Sequence, residues 1–487
     1  MSAARDPLNR VLVAGSGQVG VIAAIGLKRA MPGCEVIVLD MPMGPVDFAD
    51  IAATALPATG RLHAKLRIAE EAIVRGASGS HRLVMRYFGW GGPGQTGAQP
   101  YGASGHASQA ARFAEQWGGG TRAETGAAPS AIGEVLANAG RFRIPSASPD
   151  DPLAPVEYAL RWDPRAYRGL LIAEAQKLGV LYMQGALEGV ATRAQGIAAV
   201  QVAGQGDIPA DLFVDCSGST ARLLSTVTDH AVESWSDVLP DRRILIAPSG
   251  QPMAALEDRI TLNTLGWVTE FAGRTGLQVV MGAAPSASDT EIRDLLGAAP
   301  IYDRSVRAGR AAQPWLGNVV ALGDAAARFE PLGFFNLDLA HRMLALLLEL
   351  LPGRDIAAGE RAEFNRRSAM MMDGVRDVLA LHYAAPAAAQ IFGAPDVPAA
   401  VATTIDQFNR RGRLPHHEEA PLLGNEQVAL MIALGFARGT PPQERHDDTF
   451  EAERAAQSLN QQTQAALSQT PPYAQWLNEV AAPGARP

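Results

Sequence analysis

The run Val11-Leu12-Val13-Ala14-Gly15-Ser16-Gly17-Gln18-Val19-Gly20 decides the fold class of this chain. Val11 to Ala14 is a short apolar stretch of the kind that forms a buried strand. Gly15 permits the tight turn after it, Gly17 lets the backbone approach a pyrophosphate, and Gly20 allows a helix to pack closely on the strand. Val21 to Ala30 then reads as that helix, its N-terminus facing phosphates, with Pro32-Gly33 as its stop. Val36-Ile37-Val38-Leu39 is the next strand. It ends in Asp40, at the spacing where an acid accepts ribose hydroxyls.

A lone GxGxxG is a weak signal, but a second segment supports it. Val319-Val320-Ala321-Leu322-Gly323-Asp324 is another apolar strand ending in Gly-Asp, followed by Glu330-Pro331-Leu332. Together the two point to one class of FAD protein. Asp324 would accept a ribityl hydroxyl. A helix starting near Phe335 would aim its positive end at the flavin pyrimidine. Asp211-Leu212-Phe213-Val214-Asp215-Cys216-Ser217-Gly218 is a third strand running into a small-residue turn, which returns the chain to the cofactor. The candidate cofactor residues are therefore Gly15, Gly17, Gly20, Asp40, Gly218, Gly323, Asp324 and Pro331, for FAD. The competing readings are a glycine-rich turn without a ligand and an Asp324 that only caps its turn.

The 487 residues are 47% hydrophobic, enough for a large core, and carry a net charge of −8 with no basic cluster. Nucleic acid and anionic membranes are therefore not expected partners. Cys34 and Cys216 have no CxxC neighbour, so no metal site and no disulfide framework is expected. Met1 to Arg10 is polar, without a signal-peptide pattern, and the apolar run Met343 to Leu351 is too short to span a bilayer. The expectation is a cytoplasmic protein.

The fold class expected is α/β. Residues 1–355 would be a glutathione-reductase-like FAD-binding domain with an interleaved mixed-sheet substrate layer, made of loop region 89–155 and strands within 180–282. A helical C-terminal region would follow at 356–445, and a peripheral tail at 446–487. Asp163-Pro164 opens a helix that Gly179 ends, and Val180 to Val214 reads as short strands with glycine turns. Thr261 to Phe271 and Leu277 to Met281 read as a hairpin over Gly273-Arg274-Thr275-Gly276. Alternation along a strand through His81 would put Arg82, Val84 and Arg86 on one face, toward a polar space. His416-His417-Glu418-Glu419 has the composition of a ligand cluster, but adjacent residues rarely face one centre, so it reads as a solvated turn.

These segments resemble the flavin-dependent tryptophan halogenase family over about residues 8–445. His81-Arg82-Leu83-Val84-Met85-Arg86-Tyr87-Phe88-Gly89-Trp90 is similar to the family's lysine-bearing segment, and Gln99-Pro100-Tyr101-Gly102 to its aromatic element at the substrate pocket. Leu265-Gly266-Trp267 with Arg274 resembles its tryptophan-rich hairpin. Phe364-Asn365-Arg366-Arg367, Arg376 to Tyr383 and Phe408 to Arg413 resemble its C-terminal helices. The resemblance implies a two-component enzyme that takes FADH2 from a separate flavin reductase and acts on a small aromatic or apolar substrate, with a homodimer left open. One dinucleotide fingerprint and no second one for NAD fit that implication.

The chemistry departs from the family pattern. The family lysine, which traps or holds hypohalous acid, is Arg82 here, and a guanidinium stays protonated and does not readily form a haloamine. The tryptophan-rich signature survives only as Trp267. Where the family has Glu-Ser-Thr after Pro-Leu, supplying the base and the halide border, this chain has Gly333-Phe334-Phe335. The catalytic candidates are Arg82 and Glu330; the substrate candidates are Tyr101, Trp90, Phe334 and Phe335. His81, Trp90 and Trp267 also read as ordinary packing residues. The expected function is an FAD-dependent oxidoreductase of the reduced-flavin/O2 monooxygenase type that no longer halogenates. The alternatives are an active halogenase of an unusual aromatic substrate and a non-catalytic flavin- or ligand-binding protein.

Overall fold

Val11 to Ala14 are fully buried because the strand Arg10–Ala14 lies inside a parallel sheet covered on both faces. The computed structural model describes residues 6–44, 47–102, 131–194, 196–394, 396–415, 417–439 and 449–482. Much of the long loop expected at 89–155, His416, and the stretch 440–448 lie outside the described residues. The central sheet has six strands in the order Trp315–Leu316, Val319–Ala321, Leu212–Asp215, Arg10–Ala14, Glu35–Asp40, Leu181–Gln184. Every pair is parallel except the first. The registers Ala14 to Asp215, Asp215 to Ala321 and Ala14 to Leu39 bring the three motif strands to one carboxyl edge. Open parallel sheets bind ligands at that edge.

Helix Gln18–Ala30 crosses behind this sheet and packs on helices Pro164–Lys177 and Phe335–Glu349. The start of Pro164–Lys177 is set as its sequence suggests, with the Asp163 carboxylate accepting from the Ala166 amide at 2.9 Å.

The layer expected to face substrate holds a seven-stranded mixed sheet, ordered Tyr302–Ser305, Arg243–Ile246, Gln278–Ala283, Gly266–Phe271, Glu257–Asn263, Val84–Phe88, Thr96–Pro100. Gly266–Phe271 and Gln278–Ala283 form the expected antiparallel pair. The span read as one strand from Thr261 to Phe271 is two, Glu257–Asn263 and Gly266–Phe271, because the chain reverses before Gly266 at φ +137°. The segment through His81 also differs from expectation. Ser80–Arg82 pairs with Ala159–Arg161 in a separate two-stranded sheet, and Val84–Phe88 joins the seven-stranded one. Leu83 is the crossover between them, so Arg82 and Arg86 do not share a face.

Helices Ala358–Ala384, Pro386–Phe392, Ala399–Arg411 and Gly424–Ala433 follow, as the C-terminal pattern implies. The tail, read as peripheral, is docked instead. Helices Thr449–Ser468 and Tyr473–Ala481 bury Ala466, Tyr473 and Leu477 in a second hydrophobic cluster with Leu83, Ile132, Leu136 and Phe142. The Tyr473 hydroxyl accepts from the His81 amide at 2.7 Å. Among the described residues, no helix is long and apolar enough to cross a membrane.

Candidate functional site

The three glycines of the early motif are needed for different reasons. A Cβ on Gly15, whose φ is +114°, would stand 2.1 Å from the Cys216 carbonyl oxygen, and one on Gly20 would stand 2.0 Å from the Gly15 carbonyl oxygen. Both positions admit only glycine because strand, turn and helix touch there. At Gly17 the neighbour is not backbone. A Cβ would lie 2.1 Å from the carboxyl carbon of Asp50, which is 6% exposed. An Asp50 oxygen accepts from the Val19 amide at 2.9 Å, at the N-terminus of helix Gln18–Ala30. Gly218, at φ +79°, is likewise covered by Asp47, whose carboxylate accepts from the Ser219 amide at 2.8 Å.

Asp50 and Asp47 take up the Val19 and Ser219 amides beside Gly17 and Gly218. Burial holds the Asp50 carboxyl up at about 7, with the neighbouring Asp47 adding to the rise and the Val19 amide and Arg168 opposing it. Burial, then Asp47 and Asp50, push Asp324 well above the usual carboxylate range. Asp324 accepts from the Ala49 amide at 2.8 Å. Gly323 turns at φ +62° beneath Val19 and Ala340. Asp40 sits at the rim, taking a hydrogen bond from the Ser16 hydroxyl and, at 3.3 Å each, from Arg168 and Tyr182. Pro331 leads into the short turn Leu332–Phe334 ahead of helix Phe335–Glu349.

Arg82 is fully buried in a charge triad. Its Nη1 donates to one oxygen of Asp258 at 2.9 Å, while Arg161 Nη1 donates to the other at 2.8 Å. Arg82 Nη2 donates to the Ala55 carbonyl at 3.1 Å. The guanidinium carbon lies 4.6 Å from the centre of the Phe334 ring and 5.4 Å from that of Tyr101. Phe334 packs edge-on against Phe271 at 4.4 Å. Arg82, Phe334 and Tyr101 therefore meet, as their motifs imply. Phe334 itself holds a left-handed φ of +69°, an uncommon conformation for a bulky residue that follows Gly333 at φ +77°. A Cβ on Gly333 would stand 2.4 Å from the Phe335 ring, so that ring closes the space where an acidic side chain at 333 would leave the backbone.

Glu330 and Trp90 are placed otherwise than a free base and a pocket wall. Glu330 is buried; one oxygen is ion-paired with Arg242 and the other accepts from the Tyr383 hydroxyl at 2.9 Å. Trp267 Nε1 donates to that hydroxyl at 3.0 Å. With both oxygens engaged, Glu330 is a structural anchor linking the turn to helix Ala358–Ala384. Trp90 is also fully buried, donating to the Ile260 carbonyl at 3.2 Å and packing edge-on to His382 at 5.3 Å. Burial lowers His382 to about 4, so it is neutral in that network.

Over residues 10–449 the sequence matches the tryptophan halogenases as a family. The chain belongs to the tryptophan halogenase family. Its cofactor is FAD, used as FADH2 that a separate flavin reductase supplies within this family. The tryptophan 6-halogenase of Streptomyces toxytricini is 28% identical over 280 residues, 51% of this chain and 54% of that protein. The tryptophan 7-halogenase of Kutzneria sp. (strain 744) is 24% identical over 420 residues, 77% of this chain and 76% of that one. The chain thus spans about half the length of the first of these curated relatives in alignment. In solved structures, the flavin-dependent halogenase of Brevundimonas sp. BAL3 superposes with a TM-score of 0.86 at 23% identity, covering 98% of this chain and 99% of that one. The flavin-dependent halogenase of Xanthomonas campestris gives 0.86 at 22%, covering 99% and 100%. At such identities the likeness speaks for the fold, and the α/β architecture with its helical C-terminal region is that of the halogenases.

Sequence reasoning missed Asp47, Asp50, Asp258 and Arg161. For Asp258 a signal existed: in Leu256 to Leu262 it shares the inward parity of Ile260 and Leu262, so an acid there is buried and needs a partner.

Proposed function

We propose that this chain is a cytoplasmic, FADH2- and O2-dependent oxidoreductase of the monooxygenase type, a family member that no longer halogenates tryptophan. The observation that carries the reading is the state of Arg82: a guanidinium locked to Asp258 and the Ala55 carbonyl, faced by Phe334, with glycine at 333. Electrophilic halogenation asks for a carrier amine, a halide border and a base for the arene proton. A paired guanidinium offers no free lone pair to a halogen. A phenyl face offers a halide no donor in exchange for its lost hydration.

When bound, reduced FAD supplies the electrons that activate O2. Gly17 and the Val19 amide would hold its pyrophosphate, in a turn that Gly15 and Gly20 keep tight; Asp40 would accept ribose hydroxyls, and Asp324 would orient the ribityl chain. Phe334, Phe335 and Tyr101 form a dry, aromatic wall suited to a small aromatic or apolar substrate. Arg82 contributes a fixed positive charge behind that wall. The partner expected is a flavin reductase.

A second reading is an unusual halogenase that holds hypohalous acid on Arg82. Arg82 Nε favours it, being buried without a hydrogen-bond partner. Oxygen uptake with tryptophan and indole, under a chemical or enzymatic FADH2 supply and 18O2, tests the proposal. Label incorporated into product above the free-FADH2 background supports it. Product without label above background with both compounds, together with halide incorporation when bromide is added, overturns it in favour of the second reading.

A further inference from the structure

Ser80 and Arg161 stand directly opposite each other in the two-stranded sheet of Ser80–Arg82 and Ala159–Arg161. Opposed residues of an antiparallel pair share one face, and Arg82, two residues on from Ser80, lies on it too. Ser80 and Arg161 are each 1% exposed. Even so, the Ser80 hydroxyl and Arg161 Nε have no hydrogen-bond partner. The other nitrogens of Arg161 are committed, Nη1 to Asp258 and the Glu257 carbonyl, Nη2 to the His81 and Ala255 carbonyls. Both residues with an orphaned group line one small cavity, together with Phe271, Asp163 and the turn Gly273-Arg274-Thr275-Gly276. It has room for a single water-sized or ion-sized group.

The charge around this cavity is unbalanced. Arg82 and Arg161 share the single carboxylate of Asp258. Arg274, in the cavity wall, donates to the neutral Val74 and Gly79 carbonyls at 2.8 and 3.3 Å. Asp163 is the one carboxylate in the wall among the described residues. One of its oxygens accepts from the Ala166 amide, and the other from the Thr275 hydroxyl at 3.3 Å. Three guanidinium groups against two carboxylates leave one positive charge in excess. An uncompensated charge away from water is costly, so the cavity favours an anion over a neutral water.

We propose that this cavity is a binding site for one monovalent anion of halide size, held by the Ser80 hydroxyl and Arg161 Nε. The anion gains two donors, one of them charged, and cancels the excess charge. Phosphate and other polyatomic oxyanions are too large for the room. The site uses neither Gly333 nor the Phe334-Phe335 pair, and it needs no cofactor, so it goes beyond the proposed function and does not depend on it. Its effect is structural. A bound anion ties the two-stranded sheet to the turn at 273–276 and keeps the Arg82–Asp258–Arg161 triad in place beside Phe271, which packs on Phe334 at 4.4 Å.

The test is thermal melting of the full-length protein in chloride-free gluconate buffer, with bromide, chloride or phosphate added at constant ionic strength, for wild type, Ser80→Ala and Ser80→Asp. In wild type, bromide and chloride should stabilise saturably at first and then by about tenfold in the folded-to-unfolded ratio for each tenfold of halide above the Kd, while phosphate does nothing. Ser80→Ala should need about 10-fold more bromide for the same effect, having lost one hydrogen bond to a charged group. Ser80→Asp supplies a tethered carboxylate, so its melt should not respond to halide. Crystals of the wild type soaked in bromide should show an anomalous peak in contact with Ser80 Oγ and Arg161 Nε, and this decides alone if the variants do not fold. Equal bromide stabilisation of wild type and Ser80→Ala overturns the proposal, as does phosphate acting as well as bromide. A water in the cavity with bromide peaks only elsewhere means an adventitious ion only, and overturns it too.

Discussion

Removing Asp258 and removing Arg82 should have unequal consequences, although the two form one ion pair. Asp258 is shared: Arg82 and Arg161 hold its two oxygens at 2.9 and 2.8 Å, and the Ala272 amide adds a third hydrogen bond at 2.9 Å. All three side chains are essentially inaccessible to water. The triad carries one excess positive charge. Asp258→Asn keeps the shape but leaves two buried guanidinium groups facing an amide. Breaking a buried pair by deleting one partner costs about 3–5 kcal/mol, because the remaining charge is uncompensated. Arg82→Met leaves Arg161 and Asp258 as a matched pair. It loses the bonds to Asp258 Oδ2 and the Ala55 carbonyl and the contact with Phe334, about 1–3 kcal/mol together. Each kcal/mol shifts Tm by roughly 2–4 °C in domains of 150–250 residues and less in longer chains, so a drop of ~5 °C is expected for Asp258→Asn and ~2 °C for Arg82→Met. Thermal melts followed by circular dichroism at pH 7, with the double variant to expose the coupling, make the comparison. An Asp258→Asn protein as stable as wild type, or an Arg82→Met protein less stable than Asp258→Asn, refutes the shared-charge account.

Gly17→Val should abolish FAD binding, since its branched side chain occupies the cradle; flavin fluorescence titration on folded protein with unchanged affinity would count against the assignment. NADH or NADPH alone should not bleach protein-bound flavin in anaerobic stopped-flow, whereas dithionite should, and rapid bleaching by either nicotinamide would reveal a hydride site. Gly333→Glu should lower stability by about 1–3 kcal/mol and confer no halogenation, because φ is +77° and the new Cβ meets the Phe335 ring at 2.4 Å; a melt unchanged from wild type would show that the rings yield.

The cofactor frame was legible in the sequence because each piece is a contiguous strand–turn–helix, and contiguous pieces carry their own geometry. Gly15 and Gly20 are needed for contacts with backbone only a few residues or one strand away. The chemistry beyond the frame depends on pairings between distant segments. Nothing near Arg82 in sequence announces Asp258 or the Ala55 carbonyl, and nothing near Gly17 announces Asp50. The strand through His81 looked continuous because alternation persists on both sides of Leu83, while the partner strands differ. The tail looked peripheral because its composition is polar; Tyr473 and Leu477, four residues apart on one helix, are enough to dock it. Glu330 kept its expected place in the turn, but only the fold brings Arg242 and Tyr383 to it.

In the proposed function, Arg82, Gly333 and Phe334 replace the family's halide chemistry beside the flavin site. Incubation of the protein with a flavin reductase, FAD, NADH, O2, bromide and either tryptophan or indole, followed by mass spectrometry, tests it most directly. No enzyme-dependent sample should hold a product with the paired bromine isotope pattern. A brominated product that requires both the protein and reduced flavin would contradict it.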